Sequence, residues 1–369
     1  MANFLNKILD FSSRSIKAVE NIYHLVRNPL TQTYYPEQLT KSGFEVLMDN
    51  LWWLFKYKEI NKLYYPYGFD RKNGPDRTEY ISAHVFFVLQ RDANIVLRRK
   101  FNAVDYRCLL KDKFLFGAYL DFLKFPTPKM LALCDINGIK WSCSQDYESF
   151  DALVGNKNLD AFCKQLLGRW GQGAFALKSC DGKVFINGVE SSVDEFKSKV
   201  MGLTLIQQRI RQHPKLSELH PQSVNTIRLA TAIVNGKPQE LLAAIKVGTG
   251  QTNCDNWASG GLLGGVDLTT GRVSEDFFYK PGIGKRTQVH PDTGIVFRDF
   301  EVPFFHKAVE MAKKLHCYFY GVHSIGWDIA ITSDGPIFVE GNDEWEGFPH
   351  QIHEGGMRKK FYQVFQTGK

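Results

Sequence analysis

The stretch Gly326-Trp-Asp-Ile-Ala-Ile-Thr-Ser-Asp-Gly-Pro-Ile-Phe-Val-Glu-Gly-Asn342 predicts a β-hairpin with acidic side chains near its open end. Two short apolar segments flank Ser333-Asp334-Gly335-Pro336, which is a typical turn sequence. A carboxylate lies in the first predicted strand, and a second carboxylate and an amide end the other strand. The rest of the chain is interpreted from this hairpin outward.

The register of the hairpin decides which side chains face one another. With an odd number of loop residues, Asp328 lies on the same sheet face as Glu340 and Asn342, because side chains alternate along a strand. A two-residue turn at Asp334-Gly335 would instead place Asp328 opposite Gly341. The sequence leaves both registers open.

In the first register the hairpin predicts a metal site. Like charges that face each other across strands destabilise a sheet unless a cation lies between them. Two carboxylates and an amide are hard oxygen donors, which suit magnesium better than zinc. We therefore expect Asp328, Glu340 and Asn342 to bind Mg²⁺, and an ordinary surface hairpin with scattered acids is the alternative.

The composition is that of a globular protein. The 369 residues are 44% hydrophobic and 14% aromatic, enough for two or three packed units and too apolar for a disordered chain. The seven cysteines are scattered singly, which is typical of a reducing compartment. The sequence shows no signal-peptide core and no apolar run long enough to cross a bilayer, so we expect a cytoplasmic protein without an integral membrane segment.

The net charge of +7 favours anionic partners such as nucleotides, acidic sugars or membrane phosphates. Nucleic acid is not expected, since the basic residues are dispersed and no nucleic-acid-binding motif accompanies them. The aromatic cluster Leu51-Trp-Trp-Leu-Phe55 could enter a membrane interface, but aromatic residues on a helix more often pack in a core. We favour the core and leave the interface as an alternative.

The periodicity predicts an α+β protein with a helical N-terminal part and two α+β lobes. Helices are expected at residues 1–30, 44–65, 76–94 and 300–316. Strands are expected at residues 174–178, 183–186, 203–210, 226–234 and 240–247. We divide the chain into a helical region (1–105), a small lobe (106–205) and a large lobe (206–369).

Two lysines complete a set of groups suited to polyphosphate chemistry. Lys113 follows Asp112 at a predicted helix start, and Lys178 ends a predicted strand. Lysines neutralise phosphate oxygens, and a magnesium ion bridges them, so charge that develops on a transferred phosphoryl group is stabilised. Such chemistry needs no nucleophilic side chain.

Taken in order, these motifs resemble the ATP-grasp superfamily. Its members show an Asp-Lys helix start, a strand-end lysine, a hinge strand that faces adenine, and a carboxylate followed by Glu-x-Asn. The corresponding stretches here are Asp112-Lys113, Leu177-Lys178, Ile206-Gln207-Gln208-Arg209-Ile210, and Asp328 with Glu340-Gly-Asn342.

A closer resemblance is to the sugar-transfer-associated ATP-grasp proteins, and it runs through most of residues 60–355. The matching stretches are Tyr67-Gly-Phe-Asp70, Ser223-Val-Asn225-Thr-Ile-Arg228, Asp255-Asn256 with Gly260-Gly261, His290-Pro-Asp-Thr-Gly294, and Gly326 to Thr332. This resemblance implies an ATP-grasp fold, in which two α+β lobes clasp ATP.

The resemblance also implies ATP and Mg²⁺ as cofactors and assigns roles to residues. Lys113 and Lys178 would contact the phosphates of ATP. Arg228 would lie near the reacting phosphate or acyl group, so Arg228 and Lys178 are the candidate catalytic residues. The adenine would meet the backbone of the hinge at Gln208, Arg209 and Ile210.

The chain departs from the family pattern in two places. Only Gly182 follows Lys178 where several glycines are common, which predicts a short phosphate-covering loop. The hinge carries Gln207 and Gln208 where an acid is common, and a glutamine carbonyl can still accept a hydrogen bond from the adenine amino group.

Asp255, Asn256, His290 and Arg298 are weaker candidates for substrate contact. Each has a structural alternative: Asn256 could form an Asx turn, and His290 could cap a turn. Arg298 could select an acidic acceptor or only solubilise its loop.

The resemblance implies an ATP-grasp ligase that joins a carboxylate to an amine through an acyl phosphate. The substrates would be an amino acid or another amine and a sugar-linked or small carboxylic acid, in polysaccharide or sugar-conjugate biosynthesis. The alternatives are a phosphotransferase that uses Asp255 as its base, and a non-catalytic nucleotide-binding protein. A homo-oligomer is compatible with the sequence.

Overall fold

The computed structural model describes residues 32–366 with the exception of 143, 145, 155–157, 169–172, 201, 251, 253 and 254. The predicted helix at residues 1–30 lies outside this range. The described chain divides into two units. One contains the residues up to Ala93 together with Pro281–Arg286 and those from Glu346 onward, and the other contains Asn94–Lys280 and Thr287–Trp345. The boundaries that the sequence suggests at 105 and 205 stay a prediction.

Side-chain caps fix where several helices begin. Ser42 and Glu45 form a capping box at the first helix, and Asp112 accepts hydrogen bonds from the backbone N–H groups of Phe114 and Leu115. The helix predicted to start at Asp112-Lys113 is thereby confirmed. The α-helices are α1 (Gly43–Tyr57), α2 (Ala83–Phe101), α3 (Cys108–Lys111), α4 (Lys113–Phe122), α5 (Val193–Lys199), α6 (Pro214–Leu219), α7 (Phe305–His316), α8 (Gln351–Glu354) and α9 (Arg358–Gln366). Short 3₁₀ helices cover Arg77–Glu79, Phe150–Leu153, Trp257–Ser259 and Phe348–His350.

Three predicted helices have other bounds in the structure. The helix predicted at 44–65 ends at Tyr57, because Lys58 takes a left-handed conformation with φ 58°. The helix predicted at 76–94 is a 3₁₀ turn followed by α2, whose first N–H groups, those of Ala83 and His84, donate to the carboxylate of Glu59. The helix predicted from 300 begins only after Phe304, a residue with φ 54°.

A first antiparallel sheet of seven strands is built from the middle of the chain. Its order is β2-β1-β7-β3-β4-β5-β6. The strand predicted to end at Lys178 continues to Cys180, and the strand predicted at 203–210 is shorter. The strands are β1 (Met130–Asp135), β2 (Gly138–Trp141), β3 (Leu159–Gln165), β4 (Phe175–Cys180), β5 (Lys183–Ile186), β6 (Val189–Ser191) and β7 (Thr204–Gln208).

A second sheet of seven strands contains the acidic hairpin. Its order is β12-β11-β10-β9-β8-β13-β14. One face carries Ile227, Leu229, Trp327 and Ile329 into the largest apolar core of the described residues, so side chains two residues apart from these lie on the same buried face. The strands are β8 (Thr226–Val234), β9 (Lys237–Val247), β10 (Leu262–Val266), β11 (Val273–Tyr279), β12 (Arg286–Thr287), β13 (Ser324–Thr332) and β14 (Gly335–Asn342).

The hairpin β13–β14 has neither of the turns considered from the sequence. Thr332 pairs with Gly335, so the loop has two residues and is displaced by one from the Asp334-Gly335 turn. A β-bulge then shifts the register between Ile329 and Asp328. Asp328 consequently pairs with Glu340, the arrangement that an odd loop would also have given.

Candidate functional site

A row of charged residues crosses the second sheet on the face opposite its apolar core. Asp328 on β13, the strand next to the edge strand β14, pairs with Arg228 of β8 on one side and with Glu340 of β14 on the other. Lys246 of β9 pairs with Thr226 of β8, two residues from Arg228. The strand registers therefore bring residues from four segments of the chain onto one face.

Asp328 is held by two cations. Arg228 donates from Nε to Oδ1 over 2.7 Å and from Nη2 to Oδ2 over 3.1 Å. Lys246 Nζ lies 3.0 Å from the same Oδ1. Burial opposes ionisation of Asp328, but the charges and hydrogen bonds of Arg228 and Lys246 outweigh it and lower the pKa of this carboxyl to about 2. Asp328 is therefore an ionised, buried carboxylate.

A second carboxylate, Asp255, lies on the loop after β9 within the electrostatic influence of Lys246. Its Oδ2 accepts hydrogen bonds from the backbone N–H of Thr226 over 2.8 Å and from the Thr226 hydroxyl over 2.5 Å. Burial raises the pKa of Asp255, while the charge of Lys246 and these hydrogen bonds act in the opposite direction. The contact fixes one end of the loop against the charged row.

Lys113 connects the two sheets at the edge of the charged row. Its Nζ donates to the backbone carbonyl of Gly168, just after β3, over 2.6 Å, and it lies 3.8 Å from Glu340 Oε1. Helix α4 is placed there because Phe116 and Leu120 pack into the core of the second sheet. Only 12% of the Lys113 side chain is exposed, compared with 32% of Glu340. Lys113 is thus the sheltered cation beside the more accessible carboxylate.

The hairpin offers the donor types that magnesium prefers. Asn342 donates from Nδ2 to the carbonyl of Gly326 over 3.3 Å, so its amide oxygen is the atom that can bind a cation. Together with the carboxylates of Glu340 and Asp328 it forms a set of hard oxygen donors, which fits Mg²⁺. Asp328 can act as a ligand only by sharing its oxygens with Arg228 and Lys246.

No cluster of three or more His, Cys, Asp or Glu side chains suited to a metal ion occurs within the part of the chain that the structure describes. The proposed magnesium ligands of the hairpin are the two carboxylates of Asp328 and Glu340 and the amide of Asn342, so they include only two side chains of these four types.

Gly326 lets a tryptophan lie over the charged row. A Cβ atom at this position would stand 2.4 Å from Cβ and 2.8 Å from Cγ of Trp345, and 3.5 Å from Cδ of Arg228. Trp345 is buried and donates from Nε1 to the Ser324 hydroxyl over 3.1 Å. Its ring therefore covers one end of the row and limits the positions open to Arg228.

The predicted hinge, residues 206–210, covers the last three residues of β7 and the two residues that follow it. The backbone N–H of Gln208 donates to the carbonyl of Lys129, and that of Arg209 donates to the carbonyl of Asp160. Within the described residues the N–H of Ile210 has no hydrogen-bond partner. Of the three hinge N–H groups named from the sequence, the one at Ile210 is therefore the group open to a ligand.

The structure does not bring the remaining candidates into the charged row. Lys178 lies on β4 of the first sheet, opposite Asp160 and Phe185 on the neighbouring strands, with its side chain exposed. Arg298 is exposed and forms an ion pair with Glu275.

Two further candidates have local structural partners. Asn256 caps the 3₁₀ helix Trp257–Ser259 by accepting from the Ala258 N–H over 2.9 Å. His290 is buried with Nε2 2.9 Å from the carbonyl of Gly248, and burial lowers its pKa. The Asn256 contact is the local turn weighed as an alternative in the sequence, and His290 also caps a turn by accepting at Nδ1 from the Asp292 N–H over 3.3 Å.

A buried polar network supports the strand end near Thr226. Asn225 accepts from the Gly248 N–H over 3.1 Å and donates to the carbonyl of His220 over 3.1 Å. His220 Nδ1 lies 2.8 Å from the Ser223 hydroxyl, and Nε2 lies 3.0 Å from the carbonyl of Gly250. The motif Ser223-Val-Asn225-Thr-Ile-Arg228 thus joins the loop after β9 to the strand that carries Arg228.

Lys246 is the residue of this site that sequence reasoning missed. The signal for it was present, since it is the one lysine within the apolar run Leu241-Leu-Ala-Ala-Ile-Lys246-Val247. A lysine in a strand with buried neighbours needs a counter-ion. Its partner is 82 positions away in the chain, so the local pattern indicates the need for a counter-ion but does not identify Asp328.

The sequence profile of the family described as sugar-transfer associated ATP-grasp matches residues 92–366. The match covers most of the chain and contains the charged row, Lys113 and the hinge. The class defined by fold and site is thus ATP-grasp, and the chain belongs to the sugar-transfer associated ATP-grasp family. No curated protein matches it.

Several solved structures are similar to the chain at low identity. D-alanyl-alanine synthetase A from Vibrio cholerae has 12% identity and a TM-score of 0.41, with 72% of this chain and 67% of that chain covered. D-alanine-D-alanine ligase from Helicobacter pylori has 14% identity and a TM-score of 0.38, with 70% and 61% covered. N5-carboxyaminoimidazole synthase from Aspergillus clavatus, solved with ADP and 5-aminoimidazole ribonucleotide, has 12% identity and a TM-score of 0.42, with 71% and 52% covered.

This chain therefore spans between about half and two thirds of the length of these three proteins. Across the residues that the structure describes, no helix is both long and apolar enough to span a membrane.

Proposed function

We propose that this protein is an ATP-dependent ligase that joins a carboxylate to an amine. The observation that carries the proposal is the position of Lys113, which contacts both the end of β3 in the first sheet and Glu340 in the second sheet. A sheltered cation at this junction is suited to a polyphosphate that lies between the sheets. Membership of the ATP-grasp family supports the same assignment.

The reaction would proceed in two steps. A carboxylate oxygen attacks the γ-phosphorus of ATP, ADP leaves, and an acyl phosphate forms. The nitrogen of an amine then attacks the acyl carbon, phosphate leaves, and the nitrogen loses a proton to give the amide. Most of the rate enhancement would come from positioning and from charge stabilisation, since neither step needs a nucleophilic side chain.

The residues of the chain take roles that follow from their charges. Lys113 would neutralise phosphate oxygens of ATP. Lys178 would do the same from β4. Arg228 would bind the transferred phosphoryl group or the acyl oxygen, and Lys246 would keep Asp328 ionised beside it. Magnesium, held by Asp328, Glu340 and Asn342, would supply charge neutralisation along the polyphosphate. The backbone at Gln208, Arg209 and Ile210 would meet the adenine.

The acid or the amine would belong to a sugar conjugate. The family description links these proteins to sugar transfer, and the net charge of +7 favours an acidic substrate such as a uronic acid. Asp255 and Asn256 lie on the loop beside the charged row and are the residues we expect nearest this substrate. A role in polysaccharide biosynthesis follows from the same reasoning.

Calorimetric titration with a non-hydrolysable ATP analogue tests the nucleotide site before the substrates are known. We expect binding to the wild type that requires Mg²⁺ and that falls at least about tenfold in Glu340→Gln, because a ligand of the metal is lost. Asp334→Asn, at the turn of the same hairpin, is the matched control and should bind as the wild type does. Failure of the wild type to bind the analogue with or without Mg²⁺ would remove the proposal.

One observation favours a second candidate, a phosphotransferase. Burial raises the pKa of Asp255, which is what a general base for a hydroxyl acceptor needs. Its Oδ2 already accepts two hydrogen bonds from Thr226, so we rank this candidate second. The products separate the two: a ligase releases phosphate only when acid and amine are both present, and a phosphotransferase yields a stable phosphorylated acceptor without any amine.

A further inference from the structure

Helix α1 presents large apolar side chains to solvent along one face. Phe44 is 71% exposed, Met48 is 48% exposed, and Phe55 is 70% exposed. Residues spaced by four and seven positions lie on the same side of an α-helix, so these three side chains form one stripe, which we call the outer stripe of α1. A continuous apolar stripe on a surface marks a site of contact with an apolar partner.

The outer stripe is not a misplaced core face, because α1 has a separate buried face. Trp53 and Tyr57 are buried on that face together with the polar residues Asp49 and Asn50. The Asp49 carboxylate forms ion pairs there with Lys41 and Arg77 and accepts a hydrogen bond from the hydroxyl of Tyr64. The buried face of α1 therefore contains a carboxylate together with its ion-pair partners, whereas Phe44 and Phe55 on the outer stripe are exposed to solvent. A helix that is apolar on both sides has a second apolar environment to meet.

Cations border the C-terminal half of the outer stripe. Lys56 Nζ lies 4.3 Å from the ring centre of Trp52, and Lys58 Nζ lies 5.9 Å from that of Phe55. Lys62 follows as another exposed lysine, and the described residues form no ion pair with Lys56, Lys58 or Lys62. Glu45 is engaged in the capping box at the N-terminus of α1, and the acids Asp76 and Glu79 act on Lys56 together with the cation Arg358. The charge beside the stripe is thus positive.

We infer that α1 binds the surface of a membrane that contains anionic lipid. Rings and a thioether at the level of the acyl chains, with lysines that reach back to phosphate headgroups, are the arrangement of an interfacial helix. The 15 residues of α1 are too few to cross a bilayer, so the helix lies in the interface. The inference does not depend on the proposed ligase activity.

Sedimentation of the full chain with vesicles tests the inference. We expect the protein to sediment with phosphatidylglycerol mixed into phosphatidylcholine, to stay in solution with phosphatidylcholine alone, and to be released by high salt. The double variant Phe44→Ser, Phe55→Ser should bind at least about tenfold more weakly, because two inserted rings are lost. Phe122→Ser is the matched control, since Phe122 is 76% exposed and ends α4, a helix of the other unit.

A charge-reversal variant, Lys56→Glu with Lys58→Glu, keeps the stripe and should lose the preference for anionic vesicles. Equal sedimentation of all variants, or absence of the wild type from the anionic vesicle pellet, would overturn the inference. Sedimentation velocity without lipid tests the alternative that the stripe binds a second copy of this chain. A dimer that Phe44→Ser, Phe55→Ser dissociates, with no vesicle binding by the wild type, would assign the stripe to self-association instead.

Discussion

Arg228 donates two hydrogen bonds to Asp328, one to each carboxylate oxygen, from the neighbouring strand of the same sheet. The two residues are 100 positions apart in the chain and meet because β8 and β13 pair in register. A planar guanidinium that uses two of its donors on one carboxylate is oriented as well as neutralised. The remaining donors of Arg228 are therefore directed by Asp328.

Arg228→Ala should destabilise the protein by about 2 to 4 kcal/mol, because it removes the bidentate partner of a buried carboxylate and leaves only Lys246 as counter-ion. Urea unfolding of the variant and the wild type measures the loss. The double variant Arg228→Ala, Asp328→Ala should recover part of it, since the buried carboxylate is removed with its partner and Lys246 keeps the nearby charge of Asp255. A double variant that loses the sum of the two single losses would show that the residues act independently.

Lys246→Met should cost less, about 1 to 3 kcal/mol, because Asp328 keeps both hydrogen bonds from Arg228. The same unfolding series gives the value. Lys237→Met is the control: Lys237 begins the same strand and is exposed, so its replacement should change stability by no more than about 0.5 kcal/mol. Equal effects of the two substitutions would mean that Lys246 contributes nothing through Asp328.

The sequence predicted the residues of the acidic hairpin better than their geometry. Asp328 and Glu340 do pair, but through a bulge next to Ile329 that no turn residue indicates. Short segments carry their own caps, which is why the helix start at Asp112 and the local alternatives for Asn256 and His290 could be stated in advance. These features depend on neighbours within a few residues.

Contacts between segments that are distant in the chain could not be predicted from local sequence patterns. Helix α2 begins where the carboxylate of Glu59 accepts its first N–H groups, so the predicted start at residue 76 was too early. The link between Lys246 and Asp328 depends on the order of three strands in the sheet, which periodicity does not determine. The position of Phe55 in solvent, two residues from buried Trp53 and two from buried Tyr57, likewise follows from how the unit packs.

Gly326→Ala should disturb the cover of the charged row. The added Cβ would lie 2.4 Å from Cβ of Trp345, so either the tryptophan or the strand must shift. We expect a loss of about 1 to 3 kcal/mol, as for other overpacked sites, and weaker binding of the ATP analogue because Arg228 lies against the same position. Thermal unfolding and calorimetric titration check the two effects. Wild-type stability in the variant would show that Trp345 can move at no cost.

Stability should fall on mild acidification because of His316. This side chain is buried, with Nδ1 2.8 Å from the Thr231 hydroxyl and Nε2 3.0 Å from the carbonyl of Val322, and burial lowers its pKa to about 4. The folded protein therefore keeps His316 neutral at a pH where the unfolded chain protonates it. The resulting stabilisation is complete above the unfolded pKa of 6.5 and is lost as the pH falls towards about 4.

The loss attributable to His316 between these two pH values is on the order of 3 kcal/mol. Urea unfolding at a series of pH values, for the wild type and for His316→Gln, measures it as the difference between the two slopes. His306→Gln is the control, because His306 is exposed on the same helix α7 and should leave the wild-type slope unchanged. If the unfolding free energy of His316→Gln falls with acid as steeply as that of the wild type, a group other than His316 causes the loss.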